Sequence, residues 1–146
     1  DASPLIQAAR GVNDSKPAYV ASQVEALAAG VAPGSGTTSV LCLGLTFKAD
    51  VDDIRESPAI EVVEHVAAAL PDADVQVMDP YVDVMPGQLE ALPNVRMATA
   101  SGSDGLEKLV ADADVVVLLV EHERFRTLDR ASLAGKAVYD TRGIWR

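Results

Sequence analysis

Residues 39–58, SVLCLGLTFKADVDDIRESP, contain the signal that decides the fold of this chain. The stretch opens on an apolar run at 40–45, which is typical of a parallel strand that is buried on both faces. A charged loop follows at 46–56, and Ser57-Pro58 then combines a hydroxyl cap with a proline in the first helical turn. Strand, loop and helix form the first half of a βαβ unit. Because ligands bind at the carboxyl ends of the strands in open α/β sheets, the loop is a candidate binding site.

Short apolar runs and helical patterns alternate from this stretch to the end of the chain. Further strands are predicted at 74–78, 94–97, 114–120 and 137–140. Helices are predicted at 57–70, at 85–92, at 103–111 with Ser103 as cap, and for at most one turn at 131–133. Because the strands are apolar throughout, both faces of the sheet should be covered. The sequence therefore predicts an α/β fold with a Rossmann-like, doubly wound parallel sheet in the strand order 3-2-1-4-5.

The residues before the sheet predict a separate helical segment. Residues 1–30 are rich in alanine, Asp14 or Ser15 could cap a second helix, and Gly30 is a natural stop. A short linker, VAPGSGTT at 31–38, is the only convincing internal boundary. The helices are too few to bury their apolar faces alone, so they either pack on the sheet or belong to another domain. We expect a piece of a longer protein, because the chain starts mid-pattern without an initiator Met.

Composition excludes several classes of function. The 146 residues carry a net charge of -10, which argues against nucleic acid and anionic membranes as partners. A few local cations could still bind a small anionic ligand. The single cysteine excludes a disulfide framework within the chain and favours a reducing compartment, the cytoplasm. No apolar run is long enough to span a membrane, and we expect no signal peptide.

Two cations and one aromatic side chain are placed to meet at the carboxyl edge of the sheet. Lys48 directly follows the first strand and can reach a phosphate, a sugar hydroxyl or a carboxylate. Arg142 follows the last strand and should emerge at the same edge. Phe47 either packs in the core or lines a ligand pocket. A solvated lysine and an arginine of no special role remain alternatives, although two converging cations are a better signal than either alone.

Arg55 lies among three acidic residues, Asp52, Asp53 and Glu56. One interpretation is a local ion-pair cluster, which contributes little on a surface. The other is an arginine that carboxylates hold in place and present to a phosphate or a cofactor.

The turn after the first strand does not have the GxGxxG pattern of dinucleotide-binding domains. Gly44 is its only glycine, and the helix does not begin until Ser57. A pyrophosphate therefore cannot sit on the helix N-terminus in the usual manner. The pattern indicates a Rossmann-like topology that is not the main NAD site.

The remaining candidates give weaker signals. Cys42 lies inside the first strand, which predicts a buried structural thiol. His65 and His122 have no spacing that suggests a metal site or a triad, although His122, with Glu121, could act in a pocket at the functional edge. Asp79 and the proline after it are interpreted as a turn.

Several motifs together resemble one known family. They are ARGVNDSKP at 9–17, GLTFKADVDDIRESPA at 44–59, MDP at 78–80, LLVEHERF at 118–125 and VYDTRGIW at 138–145. The last four resemble the C-terminal UDP-binding domain of the UDP-glucose/GDP-mannose dehydrogenase family, and the first resembles the end of its central dimerisation region. The combination looks most like the branch that oxidises UDP-N-acetyl-mannosamine to the uronic acid.

This resemblance implies an activity and a division of the chain. Members of the family are NAD-dependent four-electron dehydrogenases, which oxidise C6 of a nucleotide sugar through a cysteine thiohemiacetal and thioester. The resemblance implies that residues 1–33 end the central helical region, which forms a homodimer in the full-length enzyme, and that 34–146 bind the UDP-sugar. NAD would be bound mainly by an N-terminal domain that this chain lacks.

The resemblance also implies roles for individual residues. Phe47, Lys48 and Arg142 would bind the substrate, and Arg55 would face the cofactor. The chain has neither the glycine fingerprint nor the motif with the nucleophilic cysteine, and Cys42 lies in the wrong place to replace it. We therefore expect the chain alone to be inactive. Alternatives are part of a UDP-glucose 6-dehydrogenase, a stand-alone nucleotide-sugar-binding module, or a dimerisation module with its interface in residues 1–30.

Overall fold

Six parallel strands form one sheet in the computed structural model, which describes residues 6–7, 17–31, 36–100, 102 and 104–145. The strands are β1 (Ile6–Gln7), β2 (Ser39–Leu43), β3 (Asp74–Met78), β4 (Val95–Met97), β5 (Val115–Leu118) and β6 (Ala137–Asp140). Their order is β1-β6-β5-β2-β3-β4, and every neighbouring pair is parallel. The five predicted strands, β2 to β6, lie in the predicted order, so the Rossmann-like fold class is confirmed. The order reverses between β2 and β5.

The outermost strand, β1, shows that the predicted helical segment over 1–30 is wrong at this point. Ile6 pairs with Ala137, and Gln7 pairs with Val138 of β6. Alanine-rich sequence favours a helix locally, but without β1 the edge of β6 would offer unpaired backbone N–H and C=O groups. Pairing with that edge overrides the local propensity.

Helices cover both faces of the sheet. They are α1 (Pro17–Ala29), α2 (Pro58–Ala69), α3 (Gly87–Glu90), α4 (Gly105–Asp112) and α5 (Glu123–Arg126), with a short 3-10 helix at Arg130–Leu133. The four-residue α5 was not predicted, because it is too short to show a helical period. The predicted caps Asp14, Ser15 and Ser103 lie outside the described residues. Among the described helices, none has the length and apolar character needed to cross a membrane.

Alternate residues of β2 supply two apolar cores on opposite faces of the sheet. Val40 and Cys42 belong to the core that β2 shares with α1 and α2, whereas Leu41 and Leu43 belong to the core on the α4 side. This alternation follows from the two-residue period of a strand. Cys42 is fully buried, and burial raises the pKa of its thiol to about 12. The prediction of a buried structural cysteine is therefore confirmed.

Helix α1 packs on the sheet domain, which was one of the two alternatives for the N-terminal segment. It begins at Pro17 and ends before Gly30, as the sequence predicted. Val20 and Val24 are buried in the same core as Val63 of α2. The apolar face of the helix is therefore covered by α2 and the sheet.

Gly44 turns the chain out of the sheet immediately after β2. Its φ is 108°, a backbone conformation that residues with a side chain rarely adopt. A Cβ at this position would lie 2.6 Å from Cβ and 2.7 Å from the backbone N of Val120. The Gly44 N–H also donates to the Met78 carbonyl at 2.9 Å. Glycine is therefore required where the chain leaves β2 for the charged loop.

We expect Gly44→Ala to lower the free energy of unfolding by about 3 kcal/mol or more, because it combines backbone strain with overpacking against a neighbouring backbone. Gly87→Ala is the matched control, since its φ is not positive and no atom lies within 4 Å of the added Cβ. The control should change stability by at most about 1 kcal/mol. Urea unfolding of both variants measures the difference, and equal stabilities would contradict the requirement for glycine.

Candidate functional site

The loop between β2 and α2, residues 44–57, closes on itself through main-chain and hydroxyl contacts. Ser57 is the residue before α2 and Pro58 begins the helix, as predicted. The Ser57 hydroxyl does not cap the helix, however, but donates to the Thr46 carbonyl at 3.1 Å. The Phe47 N–H donates to the Asp53 carbonyl at 2.7 Å. The predicted cap is therefore replaced by a contact that closes the two ends of the loop.

Phe47 stands on the loop between two clefts and does not pack in the core. Its side chain is 53% exposed, so the core alternative is wrong. The first cleft has a volume of about 170 Å³ and is lined by Phe47, Arg142, two threonines and apolar residues of α1, α2 and the β5 end. The second cleft has a volume of about 290 Å³ and is lined by Phe47, Asp53, Arg55 and Glu56. The ring of Phe47 is thus shared by both.

Arg142 reaches the first cleft from the end of β6 and is held by a carboxylate. Its Nε lies 3.1 Å from Glu121 Oε1, and its Nη2 donates to Oε2 at 3.1 Å, which gives a forked ion pair. The guanidinium side chain remains 43% exposed. Because Glu121 engages Nε and one hydrogen of Nη2, the two Nη1 hydrogens and the second Nη2 hydrogen have no partner among the described residues and remain to donate to a ligand.

The buried carboxylate of Asp140 builds the turn that presents Arg142. Its Oδ1 accepts from the N–H groups of Arg142 at 2.9 Å and Gly143 at 2.7 Å. Its Oδ2 accepts from the N–H of Trp145 at 2.9 Å, and Trp145 is itself buried. Several residues of the DTRGIW motif thus shape the backbone, and Arg142 is the one whose charged side chain faces a cleft.

Lys48 lies on the same loop but lines neither cleft. The structure therefore brings Phe47 and Arg142 together, whereas Lys48 stands at the same edge without joining them. Lys48 is exposed, and within the described ranges no hydrogen bond or ion pair reaches its ammonium group. Its carbonyl accepts from the Thr46 hydroxyl at 2.9 Å.

Arg55 lines the second cleft and is fixed by one of its three acidic neighbours. Its Nε and Nη2 lie 3.0 Å from Oδ1 and Oδ2 of Asp53, although the arginine side chain is 86% exposed. The Arg55 hydrogen bond lowers the pKa of Asp53 to about 2, and the same contact raises the pKa of Arg55. The arrangement is a surface ion pair that holds an exposed guanidinium at the mouth of a cleft.

A buried polar cluster beneath the loop was not anticipated from the sequence. His122 is fully buried, lines neither cleft, and places Nε2 2.8 Å from Asp79 Oδ2. The predicted turn at Asp79 is present, since its carbonyl accepts from the Val82 N–H at 3.2 Å, but its carboxylate also accepts from the Leu45 N–H at 2.7 Å. Asp79 directly follows the predicted run at 74–78, and His122 comes two residues after the predicted run at 114–120. These two strands flank the first in the predicted order, and that position could have identified both residues.

The fold and these clefts define a Rossmann-like domain that presents guanidinium groups at the carboxyl edge of its sheet. The model of the UDP-glucose/GDP-mannose dehydrogenase family, UDP binding domain, matches residues 41–146. The chain belongs to this family, and the resemblance seen in its motifs is confirmed.

Named relatives agree with this assignment. The NDP-N-acetyl-D-galactosaminuronic acid dehydrogenase of Ralstonia solanacearum is 41% identical over an alignment of 149 residues, which covers 99% of this chain and 32% of the relative. The UDP-N-acetyl-D-mannosamine dehydrogenase of Escherichia coli K12 is 34% identical, covering 97% of this chain and 33% of the relative. The solved UDP-N-acetyl-mannosamine dehydrogenase of Staphylococcus aureus is 29% identical, with a TM-score of 0.64 over 92% of this chain and 29% of its own. The chain thus spans about a third of the length of these relatives.

We expect Arg55→Gln to raise the pKa of Asp53 from about 2 toward its ordinary 3.8, because the arginine hydrogen bond is the main cause of the shift. Since the folded-state pKa lies below the unfolded one, the ion pair stabilises the fold above about pH 4, and this contribution disappears as the pH falls to about 2. NMR titration of the carboxyl carbons measures the shift.

Asp74 provides the control for this titration. Its pKa is lowered by a similar pair with Arg96, so it should keep its titration curve in Arg55→Gln and change it in Arg96→Gln. An unchanged Asp53 curve in Arg55→Gln would contradict the assignment.

Proposed function

We propose that this chain is the nucleotide-sugar-binding part of an NAD-dependent UDP-sugar 6-dehydrogenase that converts UDP-N-acetylmannosamine to UDP-N-acetylmannosaminuronate. The observation that carries the proposal is the first cleft, where Phe47 and Arg142 meet at the carboxyl edge of the sheet. An aromatic ring offers a face on which a base can stack, and a guanidinium matches a diphosphate through paired hydrogen bonds. The two groups therefore suit the two ends of a nucleoside diphosphate.

Local charge supports an anionic ligand in spite of the acidic composition. The chain has a net charge of -10, yet Lys48, Arg55 and Arg142 all lie at the ligand-binding edge. Glu121 neutralises part of the Arg142 charge but also orients its guanidinium, so that Nη1 can donate to a phosphate oxygen. Lys48 contributes as an exposed point charge on the adjoining loop.

The names of the relatives support an N-acetylated sugar. The R. solanacearum and E. coli proteins are named for N-acetyl-D-galactosaminuronic acid and N-acetyl-D-mannosamine respectively. We therefore favour UDP-N-acetylmannosamine over UDP-glucose as the substrate.

NAD is the cofactor we propose, held mainly by a part of the enzyme other than the residues described. These residues do not form a complete dinucleotide site, because α2 begins only after the long loop and Ser57 at its start is bonded to Thr46. Among the described residues, Arg55 is the cation that lines the second cleft, so we assign it to the cofactor side. NAD would accept the hydride in such an enzyme, and from this chain we assign Arg55, held by Asp53, to the binding of the cofactor.

We propose the same division of the chain that the motifs indicated. Residues 34–146 form the UDP-sugar domain, and residues 1–33, of which β1 joins the sheet, belong to the end of the central region through which the full-length enzyme forms a homodimer. The burial of the inner face of α1 against α2 is compatible with this arrangement, since Tyr19 on its outer side is 43% exposed. The cytoplasm is the compartment that fits a nucleotide-sugar substrate and a single buried cysteine.

We expect the chain to bind UDP-N-acetylmannosamine and Arg142→Met to weaken binding about tenfold or more, because a charge-assisted hydrogen bond contributes about 1.5–3 kcal/mol. Arg96→Met is the matched control, since Arg96 forms a similar forked pair with Asp74 at the other end of the strands. Isothermal titration with UDP-N-acetylmannosamine and UDP-glucose measures affinity and preference. Equal losses in both variants, or no binding by the unsubstituted chain, would contradict the proposed site.

We also expect the isolated chain to reduce no NAD when it is given a UDP-sugar, because neither a cysteine nucleophile nor a complete dinucleotide site lies among the described residues. The sole cysteine, Cys42, is buried in β2 and its thiol has a raised pKa. Formation of NADH is followed by absorbance, with a full-length relative as positive control. Turnover by the pure chain would refute this expectation.

A further inference from the structure

The buried ring of His122 lies under the loop segment that presents Phe47 and Lys48. We propose that His122 is a positioning residue: it fixes the backbone of residues 45–50 and thereby sets the affinity of the site for the nucleotide sugar. This inference rests on the proposed function, and it assigns a role to a residue that lines neither cleft.

The hydrogen bonds of His122 define one tautomer. Nδ1 lies 2.8 Å from the backbone N–H of Asp50, so it must be an unprotonated acceptor. Nε2 therefore carries the proton and donates to Asp79 Oδ2 at 2.8 Å, with the Thr46 hydroxyl oxygen at 3.1 Å as a second acceptor. The Thr46 hydroxyl is able to accept because its own proton goes to the Lys48 carbonyl. Each polar atom of the ring thus has a partner with the correct role.

These contacts lie on both sides of Phe47 and Lys48 along the chain. Before them, the carboxylate that binds His122 also accepts from the Leu45 N–H at 2.7 Å. After them, His122 Nδ1 accepts from the Asp50 N–H. Phe47 is half exposed and Lys48 is exposed, so packing does not orient their side chains. Their direction is set by the backbone, which His122 holds directly at Asp50 and through Asp79 at Leu45.

The Asp50 end of the segment needs this support because its backbone is strained. Its φ is 60°, in the left-handed region, which costs a non-glycine residue free energy and persists only where the surroundings hold it. The Asp50 carboxylate accepts from the Glu123 N–H at 2.8 Å and from the Tyr81 hydroxyl at 3.4 Å, whereas His122 holds the Asp50 backbone N–H. The plane of the His122 ring is in turn fixed by neighbouring rings, with centroids 4.9 Å away for Tyr81 and 5.6 Å away for Phe125.

Two substitutions separate the hydrogen bond from the loss of the ring. His122→Asn can place an amide oxygen near the Nδ1 position and keep the Asp50 contact, whereas His122→Gln can place an amide N–H near Nε2 and keep only the Asp79 contact. Both replace a buried ring by a smaller group, so both should lower global stability to a similar extent. A difference between them in ligand affinity therefore compares the Asp50 hydrogen bond, which only His122→Asn keeps, with the Asp79 hydrogen bond, which only His122→Gln keeps.

The experiment measures amide hydrogen exchange and isothermal titration with UDP-N-acetylmannosamine on the unsubstituted chain and both variants. We expect the Asp50 amide to be less protected from exchange in His122→Gln than in His122→Asn, whereas core amides such as Val116 should be equally protected in the two variants. We also expect His122→Gln to bind UDP-N-acetylmannosamine about tenfold more weakly than His122→Asn. Equal affinity and equal Asp50 protection in the two variants would overturn the inference. Failure of the unsubstituted chain to bind would instead overturn the proposed function, and the exchange data would still decide whether His122 fixes the loop.

Discussion

Two buried carboxylates at strand ends organise the whole binding edge. A buried carboxylate is stable only where donors surround it, and at the carboxyl ends of parallel strands the nearest donors are backbone N–H groups of the departing chain. Asp79, after β3, accepts from Leu45 N–H, Tyr81 N–H and His122. Asp140, at the end of β6, accepts from the N–H groups of the turn that carries Arg142. Each carboxylate thus shapes one wall of the first cleft.

The two guanidinium groups at this edge are presented in the same way. Glu121 holds Arg142 at the first cleft, and Asp53 holds Arg55 at the second, each through two contacts to the guanidinium. Such surface pairs add little to the stability of the fold, but they restrict long side chains that would otherwise sample many rotamers. Part of the negative charge of this acidic chain therefore serves to orient two guanidinium groups at the edge of the sheet.

Local pattern predicted much of the fold and part of the site. The apolar runs identified β2 to β6 and their order, because strands buried on both faces have few alternatives. The helix at Ile6–Gln7 was predicted wrongly, since the open edge of β6 that captures this segment is created by residues about 130 positions away. The sequence did not decide whether Phe47 packs in the core or lines a pocket, because an aromatic residue directly after a strand can do either. The path of the loop in the folded protein places the Phe47 side chain at the surface.

By itself, the sequence determined the class of the sheet and the identity of the family, the latter through motifs that span most of the chain. These features depend on residue type and on spacing along the chain, both of which can be read from the sequence. Only the tertiary structure decided that Phe47 and Arg142 share a cleft while Lys48 stands apart, and that His122 lies beneath the loop rather than in a pocket. The reason is physical: these relations depend on hydrogen bonds between strand ends that are distant in sequence and become neighbours only when the parallel sheet forms.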